Sequence, residues 1–105
     1  MLLMAIIRFP ATSGAEFGKK AIDELANNPY PAFTKRNYYF KFGGDGLILY
    51  IIYDVEEGNE DAALKDINSR LFKFSTSVEG FNPILEPLMS FEEAFSLISM
   101  AAPTV

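Results

Sequence analysis

The chain lacks the residues that carry most enzyme chemistry, since its 105 residues include no cysteine, no histidine and no tryptophan. Without cysteine there is no disulfide framework, thiolate nucleophile or cysteine metal site. Without histidine the commonest general base and metal ligand are missing too. Most familiar catalytic constellations are therefore excluded, and the sequence predicts neither a cofactor nor a metal centre.

Basic residues are also scarce. There are 9 Lys and Arg against 14 Asp and Glu, which gives a net charge of -5 and a pI near 4.6. Proteins that bind nucleic acids or anionic membranes need clustered cations. The charge balance therefore argues against both kinds of partner.

Long hydrophobic runs are missing as well. The N-terminal run Met1–Ile7 is too short to span a membrane, has no basic segment before it, and is followed by Arg8 and Phe9-Pro10. We expect a buried strand there, in a cytoplasmic protein. With 50% apolar residues the chain is long enough for one core, so a single domain over residues 1–105 is predicted.

What the chain does have is a strong hairpin signal between Arg36 and Gly58. β-branched and aromatic residues flank the turn sequence Gly43-Gly-Asp-Gly46, where glycine allows a tight reversal. The second arm, Leu47–Val55, is apolar at both odd and even positions. Such a strand belongs inside a sheet that is covered on both faces.

The rest of the chain supplies two helices, two more strands and a short terminal helix. Ser13 with Glu16, and Ser90 with Glu93, are spaced as capping boxes, and Asn59 is a predicted N-cap. Ser75–Gly80 is predicted to be a polar connection, and the last few residues to fray. The predicted elements are strand Leu2–Phe9, helix Ala15–Asn27, the hairpin, helix Glu60–Phe74, edge strand Pro83–Met89 and a terminal helix up to Ile98.

This order, strand, helix, strand, strand, helix, strand, predicts an α+β protein of ferredoxin-like βαββαβ architecture. Both helices then pack on one face of a four-stranded antiparallel sheet. The other face would be left open although two of its strands are apolar there. Exposing such side chains forgoes about 1.5–3 kcal/mol each. The sequence therefore predicts a homodimer in which two sheets stack face to face.

In this respect the chain resembles the dimeric α/β-barrel superfamily from Leu2 to about Ile98. The closing run Pro83-Ile-Leu-Glu-Pro-Leu-Met-Ser-Phe-Glu-Glu-Ala-Phe95 is similar to the end of small uncharacterised members of that group. Some members are enzymes, such as cofactor-free antibiotic-biosynthesis monooxygenases and muconolactone isomerases, and others have no known activity. The resemblance implies a barrel shared by two subunits.

The polar positions of the strands indicate which side chains would line that barrel. The lining would be aromatic and aliphatic with a few charges, which suits a small, partly polar organic ligand. Met4, Ile6, Ile48 and Ile52 would supply its apolar part. The candidate ligand-binding residues are Arg8, Tyr39, Lys41, Tyr50, Asp54 and Glu86.

Each candidate also has a simpler structural interpretation. Arg8 could anchor a ligand carboxylate or enolate. Alternatively, it could lie at a strand end with its guanidinium in water or in an ion pair with Asp54 or Glu86 on the neighbouring strands. The tyrosines have an ordinary pKa of about 10, which suits packing better than proton abstraction. The acidic run from Asp54 to Asp61 fits no EF-hand loop and favours a solvated turn beside a helix N-terminus.

Three functions remain open on the sequence alone. The first is a homodimer without catalysis that binds a small molecule or only assembles. The second is a cofactor-free monooxygenase or isomerase, in which Arg8 binds the substrate anion and Tyr50 or Asp54 handles protons. The third is an amino-acid-sensing regulatory module, which shares the βαββαβ order.

Overall fold

The computed structural model describes residues 1–44 and 46–103. Asp45 of the predicted turn, and Thr104 and Val105 of the predicted frayed end, lie outside the described residues. The elements in chain order are β1 (Leu2–Phe9), a 3₁₀ turn (Ala11–Ser13), α1 (Gly14–Asn27), β2 (Thr34–Gly43), β3 (Gly46–Val55), α2 (Glu60–Ser77), β4 (Asn82–Leu88) and α3 (Phe91–Leu97).

The strands form one four-stranded antiparallel sheet in the order β2-β3-β1-β4. The α+β class and the element order are thus confirmed. β1 and β3 are the inner strands, which agrees with their apolar character on both faces. Pro83 and Pro87 lie in β4, where one side of the strand faces no other strand and a missing amide donor costs nothing.

One face of the sheet carries the hydrophobic core beneath the two long helices. Odd-numbered residues of β1 and β3 point into it, as the two-residue period of a strand requires. Ala63, Ile67 and Leu71 of α2 pack against them, whereas α1 has no buried residue and contributes the half-buried Phe17. The core residues of the strands are Leu3, Ala5, Ile7, Phe9, Leu49, Ile51, Tyr53 and Val55.

The predicted capping box at Ser13 and Glu16 is wrong. Ser13 is already helical, with φ -93° and ψ -1°, because it is the last residue of the 3₁₀ turn. Its side chain makes no capping bond but donates a hydrogen bond of 2.8 Å to the carbonyl oxygen of Glu79. The box at Ser90 and Glu93 is confirmed, with both of its hydrogen bonds formed.

Helix α2 runs beyond its predicted end at Phe74, and the expected polar connection Ser75–Gly80 is therefore shorter. Ser75 donates its hydroxyl hydrogen to the carbonyl oxygen of Leu71, and Thr76 and Ser77 donate theirs to that of Lys73. These hydroxyls bond back within the helix instead of competing with it. Asn59 is the residue before α2, as predicted, but its side chain makes no capping bond.

Candidate functional site

The face of the sheet opposite the long helices is lined by the even-numbered residues of β1 and β3. Their partners in the register are the odd-numbered residues of β2 and the even-numbered residues of β4. We call the surface formed by these residues of all four strands the open face. Four rows cross it from β2 to β4: Lys41, Ile48, Arg8, Asn82; then Tyr39, Tyr50, Ile6, Ile84; then Asn37, Ile52, Met4, Glu86; and finally Lys35, Asp54, Leu2, Leu88.

All six candidate residues named from the sequence lie on the open face. Arg8 and Lys41 flank Ile48 from opposite sides in the first row, and Tyr39 is the direct partner of Tyr50 in the second. The two acidic candidates, Asp54 and Glu86, occupy the last two rows. The structure therefore brings the cationic and tyrosine candidates together and separates the carboxylates from them.

Of the two structural alternatives for Arg8, the ion pair with a carboxylate of the neighbouring strands does not form. Asp54 pairs with Leu2, six residues along β1 from Arg8, and Glu86 pairs with Met4, four residues away. At about 3.3 Å per residue these offsets are roughly 20 and 13 Å, too far for a side-chain contact. Within the described residues Arg8 has no ion pair and its side chain is exposed.

The centre of the open face is apolar and incompletely covered. Tyr39 is 59% exposed and Ile84 44% exposed, and the apolar residues between them are only half-buried. Helix α3 does not pack closely against this surface, since α3 has no buried residue and Leu97 is 72% exposed. The open face is thus an apolar surface with Arg8 and Lys41 at one end and with two carboxylates and Lys35 towards the other.

A cavity of about 180 Å³ lies on the other face of the sheet, between it and the two long helices. We call it the helix-side cavity. Aliphatic and aromatic side chains make up nearly all of its walls. Its lining residues are Ile7, Phe17, Ala21, Glu24, Leu25, Tyr30, Tyr38, Phe40, Leu49, Ile51, Arg70, Leu71, Phe74 and Phe81.

Arg70, which also lines this cavity, is the centre of a buried polar network. It is 4% exposed and donates hydrogen bonds to the carbonyl oxygens of Asn28 (2.6 Å) and Pro29 (3.1 Å), just beyond the end of α1. Its Nε donates to Asp66 at 3.0 Å, and Glu24 lies 3.9 Å from the guanidinium. One side chain of α2 thereby holds the connection between α1 and β2 in place.

Glu24 joins this network to the protein surface. Lys73 donates a hydrogen bond of 2.6 Å to Glu24 Oε2, and the Asn28 side-chain amide donates one of 3.0 Å to Oε1. These two bonds, in that order, lower the pKa of the Glu24 carboxyl below its ordinary value, and burial opposes them only in part. Glu24 is therefore held as a carboxylate.

Tyr30 is in contact with two guanidinium groups. The Cζ atom of Arg70 lies 3.8 Å from the centre of the ring, and that of Arg36 lies 4.1 Å from it. Burial raises the pKa of the Tyr30 phenol, and it also raises that of Tyr53, which is 0% exposed. Neither hydroxyl is suited to act as a base, and their surroundings are those of packed core residues.

The network and the cavity were both missed by the sequence analysis. Arg70 is not among the candidate residues named from the sequence. A signal was present, because Arg70 lies seven residues after Ala63, three after Ile67 and next to Leu71, and so shares their apolar stripe. A charged residue at such a position needs buried partners. No sequence pattern indicated the cavity, because the periodicity of apolar residues does not determine the distance between a helix and a sheet.

Within residues 1–44 and 46–103, no group of acidic side chains could hold a metal ion, and no helix is both long and apolar enough to cross a membrane. No protein-family model, curated protein or solved structure matches the chain.

Proposed function

We propose that this protein is a ferredoxin-like subunit that assembles into a homodimer through the open face. The observation that carries the proposal is the apolar centre of the open face, exposed on a sheet whose other face is already covered by helices. A sheet with one solvated face normally alternates between apolar and polar residues. β1 and β3 do not, so their even-numbered residues favour a second cover.

The connections between the strands support the ferredoxin-like assignment. β1 and β2 are both antiparallel to β3, which lies between them, and α1 joins the two. In the same way α2 joins β3 to β4, with β1 between them. Two such interleaved strand-helix-strand units make up the split βαβ arrangement of that fold.

The charges on the open face favour one orientation of the two sheets. Arg8 and Lys41 occupy one end, and Asp54 and Glu86 lie towards the other, where these two carboxylates outnumber the one cation of their rows, Lys35. A twofold axis parallel to the strands would place the two cations against their own copies. A twofold axis perpendicular to the strands would instead place them near the partner's carboxylates, which is favourable. We therefore propose that strands run antiparallel across the interface.

In this assembly the six candidate residues would line the space between the two sheets. A small organic ligand there would meet the tyrosines in the middle of the face and the cations at its end. The pairing of Tyr39 with Tyr50 beside Ile6 makes that middle aromatic and aliphatic. The apolar surface supports the proposed assembly directly, whereas ligand binding at this site is proposed only as a consequence of that assembly.

The test is the mass of the protein in solution, measured by sedimentation at low micromolar concentration. We expect a dimer for the parent chain and for Ile22→Asp, because Ile22 is 71% exposed on α1, away from the open face. Ile84→Asp makes the same substitution at an exposed position of the open face, and we expect a monomer. A monomeric parent chain would overturn the proposal, and so would an equal effect of the two substitutions.

The orientation has a separate test by charge reversal. Arg8→Glu should weaken the dimer, and the additional change Asp54→Lys should restore part of the lost affinity. Both effects should shrink as salt is raised towards 1 M, where the Debye length falls to about 3 Å. If the double variant were weaker than the single one, the two ends would not meet across the interface.

A further inference from the structure

We propose that the helix-side cavity is a binding site for a small, uncharged aromatic molecule with a single ring or two fused rings. Its lining residues from β1 and β3, which are Ile7, Leu49 and Ile51, point to the face opposite the open face. The proposal is therefore independent of the homodimer.

The cavity lies beneath α1, whose side chains are only partly buried against the sheet. Phe17, Ala21 and Leu25 of α1 all line the cavity, yet no residue of this helix is buried, whereas α2 buries four. Protein interiors are close-packed and rarely leave voids much larger than a water molecule. The unused contacts of these side chains are thus available to a ligand.

The size of the cavity limits the ligand. An apolar cavity of about 150 Å³ is known to take up benzene, and sites for drug-sized ligands have about 300–1,000 Å³. At about 180 Å³ the helix-side cavity fits a single ring or a compact bicyclic molecule. Larger ligands would require α1 to move.

The walls favour an aromatic ligand over an aliphatic one. Phe17, Phe74 and Phe81 form a connected cluster with ring centres 5.5–6.0 Å apart. They offer faces and edges to a further ring, and such pairs add to the free energy of burial. Tyr38 and Phe40 of β2 also line the cavity while being 41% and 55% exposed, so we place the entrance between β2 and α1.

The two charged residues of the lining argue against an ionic ligand. Glu24 accepts hydrogen bonds from Lys73 and Asn28, and Arg70 is paired with Asp66 and two backbone carbonyls. Neither charge is left to compensate a charged ligand. Transferring an uncompensated ion into these apolar surroundings is strongly unfavourable.

The experiment is a titration of the full chain, followed by amide and methyl NMR shifts. Indole and toluene are the neutral ligands, and benzoate and benzylamine are the charged controls of similar size. We expect saturable binding of both neutral ligands with a Kd of about 1 mM or tighter, and weaker binding of both ions by about tenfold or more. Contacts between indole protons and the methyl groups of Leu49 and Ile51 should locate the ligand in the cavity.

A pair of variants tests the location independently. Ala21→Leu fills the cavity and should weaken indole binding about tenfold or more, whereas Ala26→Leu, on an exposed position of the same helix, should bind like the parent chain. Absence of saturable binding, equal binding of neutral and charged ligands, or indole contacts elsewhere on the parent chain would overturn the proposal. The indole contacts decide the question even if Ala21→Leu does not fold.

Discussion

Replacing Arg70 by alanine should destabilise the fold more than any surface change of similar size. The guanidinium donates to three acceptors: the carbonyl oxygens of Asn28 and Pro29 and the carboxylate of Asp66. It is 4% exposed, so its charge is almost fully desolvated. Alanine would leave all three acceptors without their donor and would remove the group that stacks on Tyr30.

The size of the stability loss depends on how many of the three acceptors could bind water in place of the guanidinium. A hydrogen bond to a charged group contributes about 1.5–3 kcal/mol, so three of them would sum to more than a single substitution usually costs. Asp66 is 24% exposed and Asn28 and Pro29 lie near the surface, so water would recover part of this. We expect a loss of about 3 kcal/mol, the lower limit for breaking a buried charge pair. Arg70→Lys keeps the charge without the planar fork and should lose roughly half as much.

Urea unfolding followed by far-UV circular dichroism measures this loss. All variants must be compared at one protein concentration, because association would add to the apparent stability. Lys65→Ala is the matched control on the same helix, since Lys65 is exposed and its side chain has no hydrogen bond or ion pair among the described residues; it should stay within about 0.5 kcal/mol of the parent. A loss below about 1 kcal/mol for Arg70→Ala would refute the reasoning, because the network would then contribute nothing net.

Two further predictions concern pH and backbone conformation. The hydrogen bond from Lys73 lowers the pKa of Glu24, so the ionised Glu24 carboxylate stabilises the fold above the ordinary pKa of 4.5, and this contribution is lost as the pH falls through the lower pKa of the folded state. In urea titrations from pH 7 to pH 3, the free energy of unfolding should therefore decline less for Glu24→Gln than for the parent chain. Glu79→Gln is the control and should decline like the parent. Gly46 has φ +148°, and a Cβ there would lie 2.5 Å from the carbonyl oxygen of Phe9, so Gly46→Ala should cost about 1–3 kcal/mol in the same assay. Gly18→Ala, in a helix with no atom within 4 Å of the new Cβ, should instead stabilise by about 0.5–1 kcal/mol, and destabilisation by both changes would contradict this account.

Strand arrangement was predictable because it is determined by local signals. The alternation of β-branched and aromatic residues around the Gly43–Gly46 turn specifies a hairpin, and a two-faced apolar strand such as β3 must lie inside the sheet. The parity of the strands then follows from the period of two, and the structure places all the predicted barrel-facing residues on one face. Helix ends were less predictable, because the same serines can cap a helix or bond back within it.

The candidate site was predictable only as far as this parity extends. The alternation along the strands was enough to assign Arg8 and Asp54 to the same face. It could not determine whether they share a row, because the distance between them depends on the register of β1 against β3. The pairing of Arg70 with the end of α1 depends on contacts between residues more than forty positions apart. Such contacts leave no local pattern beyond a charged residue on an apolar stripe.

The alternation along β3 also makes the two proposals separable. Ile48 and Tyr50 point to the open face, whereas Leu49 and Ile51, between and after them, line the helix-side cavity. A substitution at an exposed position of the open face, such as Ile84→Asp, changes the surface that would contact a second copy and leaves the cavity walls intact. If the monomeric variant binds indole with the affinity of the parent chain, ligand binding belongs to the single subunit and assembly serves another purpose. If affinity falls with dissociation, the cavity depends on assembly, and the claim that the two proposals are independent would be wrong.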